Sequence, residues 1–187
     1  RAVVNLGGIA NVTLLAPDRP VTGFDTGPAN ILLDAWIARE RGETCDSGGA
    51  WAASGTVDSE LLASMTADPW FERPPPKSTG REHFDLGWVD AHLAQRAAPI
   101  APADVQATLA ALTAKSVANA LTAGGEPAPE RVIICGGGAR NDDLLERLRQ
   151  HLPGATVEPS DTRGIDPQHV EPLAFAWLAH RRVTGRP

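Results

Sequence analysis

"RVIICGGGARNDDLLERLRQHL", residues 131 to 152, decides the fold. Arg131 to Cys135 is a short, mostly apolar run with the pattern of a buried strand. Gly136, Gly137 and Gly138 interrupt it, and the residues that follow read as a helix. Strand, glycine turn and helix in that order make the first half of a βα unit. Such a strand needs partners beside it, and the rest of the chain supplies candidates.

Upstream, Ala2 to Asn5 and Asn11 to Leu15 are β-rich runs separated by Leu6-Gly7-Gly8-Ile9-Ala10, which predicts a hairpin whose backbone turns tightly or approaches a ligand. Pro17-Asp18-Arg19-Pro20 reads as a turn and Val21 to Phe24 as a third short strand. Downstream, Thr156 to Glu158 is the last expected strand. Helices are expected over Ala29 to Arg41, where Ile31, Leu32, Ala35, Trp36 and Ile37 share one face, and over Asp58 to Met65, with Asp58 as N-cap. Three more are expected at Asp85 to Ala97, Pro102 to Ala123 and Val170 to Arg182. Residues 69 to 84 show no periodicity, and Pro74-Pro75-Pro76 holds that loop extended. Three meandering strands followed by strands alternating with helices predict an α/β fold, a mixed sheet flanked by helices.

At 187 residues the chain is long enough for one well-filled core. Hydrophobic residues make up 42% and charged residues 21%, a globular balance. A net charge of -6 argues against non-specific nucleic-acid binding, which depends on clustered Lys and Arg. No apolar run reaches the roughly 18 residues that span a bilayer, so no membrane partner is expected. Cys45 and Cys135 are the only cysteines, and they are expected as reduced thiols in a cytoplasmic setting. No Cys/His spacing resembles a zinc site. The chain opens without methionine, directly in strand-like sequence, and is expected to lack an upstream portion.

Five segments hold residues with chemistry. In "ICGGGARN", Gly136 to Gly138 and Asn141 either let backbone meet an anionic ligand or serve close helix–sheet packing; the spacing fits neither G-x-G-x-x-G nor a P-loop. In "NLGGIANVT", Gly7 and Gly8 between Asn5 and Asn11 either wrap phosphate oxygens or form an ordinary hairpin turn. Asp25, in "GFDTGPAN" with Gly27, is a turn-former, a cap for the following helix, or a strand-end base. Asp34, inside that helix, is expected to contact a basic group. "PPKSTGRE" offers Lys77, Ser78, Thr79, Arg81 and Glu82 as a ligand clamp or a solvated loop. Glu171 opens an otherwise apolar helix, where it complements the helix dipole or lines a site.

The order of these segments resembles the C-terminal domain of the sugar kinase–heat-shock ATPase–actin superfamily, whose members close two ribonuclease-H-like domains on ATP. More closely, "NLGGIANVTLL", "GFDTGPANILLDAWI", "PPKSTGREHF", "ICGGGARN" and "GIDPQHVEPLAFAWLA" resemble the anhydro-N-acetylmuramic acid kinase family over nearly the whole chain. The resemblance implies a cytoplasmic enzyme of cell-wall recycling that uses ATP, Mg²⁺ and water to convert 1,6-anhydro-N-acetylmuramic acid into N-acetylmuramic acid 6-phosphate. It implies Asp25 as the base for the attacking water, Gly136 to Gly138 by the adenosine, and Asn5 to Thr13 by the phosphates. Lys77, Arg81 and Glu171 are then expected to line the sugar site, with Gly27 and Asn141 near the nucleotide. Relatives are expected to dimerise. The family's first phosphate motif, a Gly-Thr-Ser-Met-Asp-Gly-like stretch, is absent, so the chain alone is expected to be inactive. Two other classes stay open: another actin-like-fold phosphotransferase, and a non-catalytic ATP-binding module.

Overall fold

The computed structural model describes residues 1–17, 19–125 and 127–186. The turn expected at Pro17 to Pro20 includes Asp18, which lies outside them. Five strands form one sheet in the order β3-β2-β1-β4-β5: β1 is Ala2–Leu6, β2 Ile9–Leu14, β3 Thr22–Pro28, β4 Arg131–Cys135 and β5 Thr156–Pro159. β1, β2 and β3 meander antiparallel, whereas β4 runs parallel to β1 and β5 parallel to β4. The sheet is therefore mixed, as the order of its elements predicts.

The helices are α1 Asn30–Arg41, α2 Ala50–Ser54, α3 Ser59–Thr66, α4 Pro69–Glu72, α5 Leu86–Leu93, α6 Pro102–Leu121, α7 Asp142–His151 and α8 Val170–Val183. Asp58 caps α3 as expected, its carboxylate accepting from Leu61 N at 2.8 Å. The aperiodic stretch after residue 68 contains the short α4, started by Asp68, which accepts from Trp70 N, and by Pro69 in the first turn.

Strand alternation assigns the faces. Ala2, Val4 and Leu6 of β1, Ala10 and Val12 of β2, and Val132 and Ile134 of β4 point into one core with α6 and α7. The residues between them on the opposite face, Val3, Asn5, Asn11, Thr13 and Ile133, are half-buried. α6 belongs to two cores. Val105, Leu109 and Leu112 join Leu33, Trp36, Trp70 and Phe84, while Ala114, Val117 and Leu121 lie under the sheet. Its alanines let both layers approach closely, and truncating a fully buried anchor such as Leu109 to Ala costs about 2–5 kcal/mol. α8 differs, because no residue of it is buried.

Candidate active site

β3 continues past Phe24, where the sequence pattern ends it, to Pro28, so Asp25 stands inside a strand. Asn11 pairs with Asp25 and Ala10 with Gly27, leaving Thr26 as an extra residue on β3. This β-bulge resets the alternation and separates the aim of Asp25 from that of Thr26. Thr26 is buried, its hydroxyl donating to Ala10 O at 3.3 Å, while Asp25 is only half-buried.

Asp25 caps no helix. The first N–H groups of α1 are already taken: Ala29 and Ile31 donate to Gly8 O at 2.9 and 3.0 Å, and Asn30 to Gly7 O at 3.1 Å. Asn30 Nδ2 adds a bond to Leu6 O at 2.9 Å. The hairpin turn thus caps the helix with backbone carbonyls, and the Asp25 carboxylate is held elsewhere. Its Oδ2 accepts from Ser78 Oγ at 2.9 Å and from Thr79 N at 2.9 Å. Its backbone N–H donates to Lys77 O at 2.9 Å, so the loop before α5 lies along the free edge of β3.

Register lines up further expected residues. Asp25 opposes Asn11, Asn11 opposes Asn5, and Asn5 opposes Cys135, which makes one polar row across four strands. Cys135 Sγ is 3.9 Å from Asn5 Oδ1. Burial, and then the charge of Glu171, push the Cys135 thiol up to about 11. Glu171, exposed in the first turn of α8, is thereby placed in electrostatic reach of that row. Both cysteines are free thiols, Cys45 exposed and Cys135 buried.

The glycines divide by role. A Cβ on Gly136, whose φ is 79°, would meet Leu6 carbonyl atoms at 2.8 Å as well as Asn5 Oδ1. One on Gly138 would meet Leu6 Cβ at 2.6 Å. Both sites serve close packing of the turn against the end of β1. Gly137 is exposed and open, with Asn30 Nδ2 its nearest neighbour at 3.7 Å. Gly27 is buried, and a Cβ there would meet Phe71 at 2.8 Å. Asn141 caps α7, its Oδ1 accepting from Leu144 N at 3.0 Å.

Three cavities adjoin these residues. Asn11, Asp25, Lys77 and Ser78 line one of about 460 Å³. Gly7, Gly8 and Arg81 line another of about 620 Å³, and Gly137, Asn141 and Arg140 a third of about 350 Å³. Asn30 and Asp34 line both of the last two. The expected site residues therefore gather on one end of the sheet, but not at one point.

Lys77 lines the first cavity, yet its ammonium donates to Phe71 O at 2.8 Å and Trp70 O at 3.3 Å and sits 4.3 Å from the Trp70 ring centroid. Burial, and then Arg73, hold its pKa below the usual lysine value. Arg81 is exposed at the rim. Asp34 is expected to meet a basic group; the charge acting on it is instead the Asp46 carboxylate. Burial first, and then Asp46, raise the Asp34 pKa. Asp46 itself is tied to Trp51 N and Ala52 N in the first turn of α2, both at 2.9 Å. Residue patterns alone pass over Asn30, whose only local signal is its place at the first turn of α1.

The architecture is that of the actin-like ATPases. The activator of 2-hydroxyisocaproyl-CoA dehydratase from Clostridium difficile, solved with bound ADPNP, superposes with a TM-score of 0.57 at 16% identity, over 90% of this chain and 55% of that one. Component A of (R)-2-hydroxyglutaryl-CoA dehydratase from Acidaminococcus fermentans gives 0.56 at 16% identity, over 90% and 56%. Within that fold the sequence profile of anhydro-N-acetylmuramic acid kinase matches residues 1–187, and the chain belongs to this family. Proteins named anhydro-N-acetylmuramic acid kinase from Xanthomonas campestris pv. campestris (strain 8004), Chromohalobacter salexigens and Pseudomonas syringae pv. tomato are 56%, 53% and 51% identical over all of this chain. The chain spans about half their length, 49%, 51% and 51%.

Proposed function

We propose that this chain is the C-terminal lobe of a cytoplasmic sugar kinase that opens 1,6-anhydro-N-acetylmuramic acid with water and phosphorylates the freed oxygen from ATP. Family membership supports the reaction class, and Asp25 is the observation that carries the assignment to residues. Its carboxylate is half-buried, fixed through Oδ2, and in register with Asn11 and Asn5. Among the described residues no donor bonds its Oδ1.

Water forms the new bond to the anomeric carbon and loses a proton to Asp25, as the bond from that carbon to the bridging oxygen breaks. The bridging oxygen takes the γ-phosphoryl group, and ADP leaves. General-base help of this kind is worth about 10²–10⁴-fold in rate. The protein's share in the phosphoryl transfer is positioning and backbone N–H groups that offset the charge on the phosphate oxygens, rather than covalent catalysis.

The cavities beside Gly7, Gly8 and Gly137 fall in the size range of ligand sites, and the exposed backbone at Gly8 and Gly137 leaves room for ATP. Among the described residues no three His, Cys, Asp or Glu side chains converge. A Mg²⁺ carried on ATP needs only one or two carboxylates beside the phosphates, and Asp34 is the one this chain would offer between the two cavities. Bound there, Mg²⁺ would supply charge neutralisation on the phosphates.

The rest of the site would lie on the half of the relatives' length that this chain does not span. α8 supports that division, since Leu173, Phe175, Trp177 and Leu178 are each more than half exposed. A helix apolar on several sides is normally covered. The whole protein is read as a homodimer that binds an amino sugar and ATP. No helix of the described residues is long and apolar enough to cross a membrane.

In the longer natural polypeptide, Asp25→Asn is expected to abolish sugar phosphorylation while calorimetry shows ATP binding retained. Near-normal turnover would contradict the assignment.

A further inference from the structure

The loop from residue 75 to 80 holds Asp25 more firmly than a solvated loop would. Three bonds join them: Asp25 N to Lys77 O, Ser78 Oγ to Asp25 Oδ2, and Thr79 N to Asp25 Oδ2, each 2.9 Å. The loop is itself anchored. Trp70 Nε1 donates to Ser78 O at 3.3 Å, and Lys77 Nζ grips the carbonyls of α4. Trp70 is 2% exposed and packs edge-on against Phe71 and Phe84, each at 5.4 Å between centroids. Behind Phe84 stands Trp88, whose indole N–H donates to Asp68 at 2.8 Å. A rigid aromatic cluster therefore fixes the backbone at Ser78, and the backbone fixes where the hydroxyl points.

The two donors both meet the same oxygen. Each carboxylate oxygen offers about two lone-pair sites, so Ser78 Oγ–H and Thr79 N–H occupy those of Oδ2. Oδ1 is left with its lone pairs open, on a carboxylate that cannot rotate without breaking both bonds. We propose that Ser78, with the Thr79 amide, is a positioning residue that pins Asp25 through Oδ2, so that Oδ1 alone receives the proton from the attacking water. This rests on the reading of Asp25 as the base. In this role Ser78 acts through Asp25. With Ser78 removed, the carboxylate keeps one donor and swings about its side-chain bond, and a misplacement of about 1 Å at a reacting group can cost 10²-fold.

The test uses the longer natural polypeptide with ATP, Mg²⁺ and the anhydro-sugar. Ser78→Ala is expected to lower kcat by about 10- to 100-fold, with KM for both substrates changed less than about twofold. Ser78→Thr, which restores a hydroxyl, is expected to recover most of the loss. A kcat within about twofold of the parent in Ser78→Ala, a loss seen in KM instead of kcat, or no recovery in Ser78→Thr would each overturn the positioning role. Near-normal turnover in Asp25→Asn alone would instead overturn the catalytic reading beneath it.

Discussion

Gly136 and Gly137 are neighbours in sequence and opposites in space. Gly136 has a left-handed φ of 79° and backs onto Leu6, whereas Gly137 is exposed and a Cβ there would meet only Asn30 Nδ2, at 3.7 Å. Gly136→Ala is expected to lower unfolding stability by more than about 1 kcal/mol, and Gly137→Ala by less than about 0.5 kcal/mol, in denaturant titrations. Equal effects would contradict the division of labour between them. The three glycines are legible in sequence as a special turn, but not which of them packs, because that depends on a strand 130 positions earlier. Asp25 poses the same difficulty. Rules for caps, turns and bases read only nearby residues, while its partners Ser78 and Thr79 lie 53 and 54 positions away.

At the level of elements, the strand and helix order is readable because apolar spacing encodes it, but the ends are not. β3 runs through Thr26-Gly27-Pro28 because β2 pairs with it and the bulge absorbs Thr26. A local reading sees only turn-forming residues there. α4 is likewise hidden by a proline-rich neighbourhood. α5 carries a titratable link to α3: His92 Nδ1 lies 2.7 Å from Ser64 Oγ, and its ring is 4.5 Å from that of Trp88. Burial holds the His92 pKa below its usual value, with Asp68 opposing more weakly. Between the depressed folded value and the ordinary value near 6.5 the unfolded chain binds a proton that the folded chain does not. Stability from this link is complete above about pH 6.5 and is lost as the pH falls below it. Tm measured from about pH 7.5 to 5.5 is expected to fall more steeply in the parent than in His92→Asn. Parallel slopes would show that His92 carries none of the dependence.

Across the whole molecule, the sheet presents one end with the Asp25–Asn11–Asn5–Cys135 row and the glycine turns, beside cavities that share Asn30 and Asp34. Composition and motif order make the fold and family legible, and the named kinases of 51–56% identity agree. The two ends of the site are brought together by sheet order, which no local pattern encodes. The uncovered α8 and the doubled length of the relatives fit the proposed second wall of the site. The most direct measurement is a rapid-quench reaction in heavy-oxygen water with ATP, Mg²⁺ and 1,6-anhydro-N-acetylmuramic acid, run on the longer natural polypeptide and analysed by mass. One heavy oxygen is expected in the sugar moiety of the 6-phosphate product, none in the transferred phosphate, and no product with Asp25→Asn. Heavy oxygen in inorganic phosphate with the anhydro-sugar unchanged would contradict the proposed reaction.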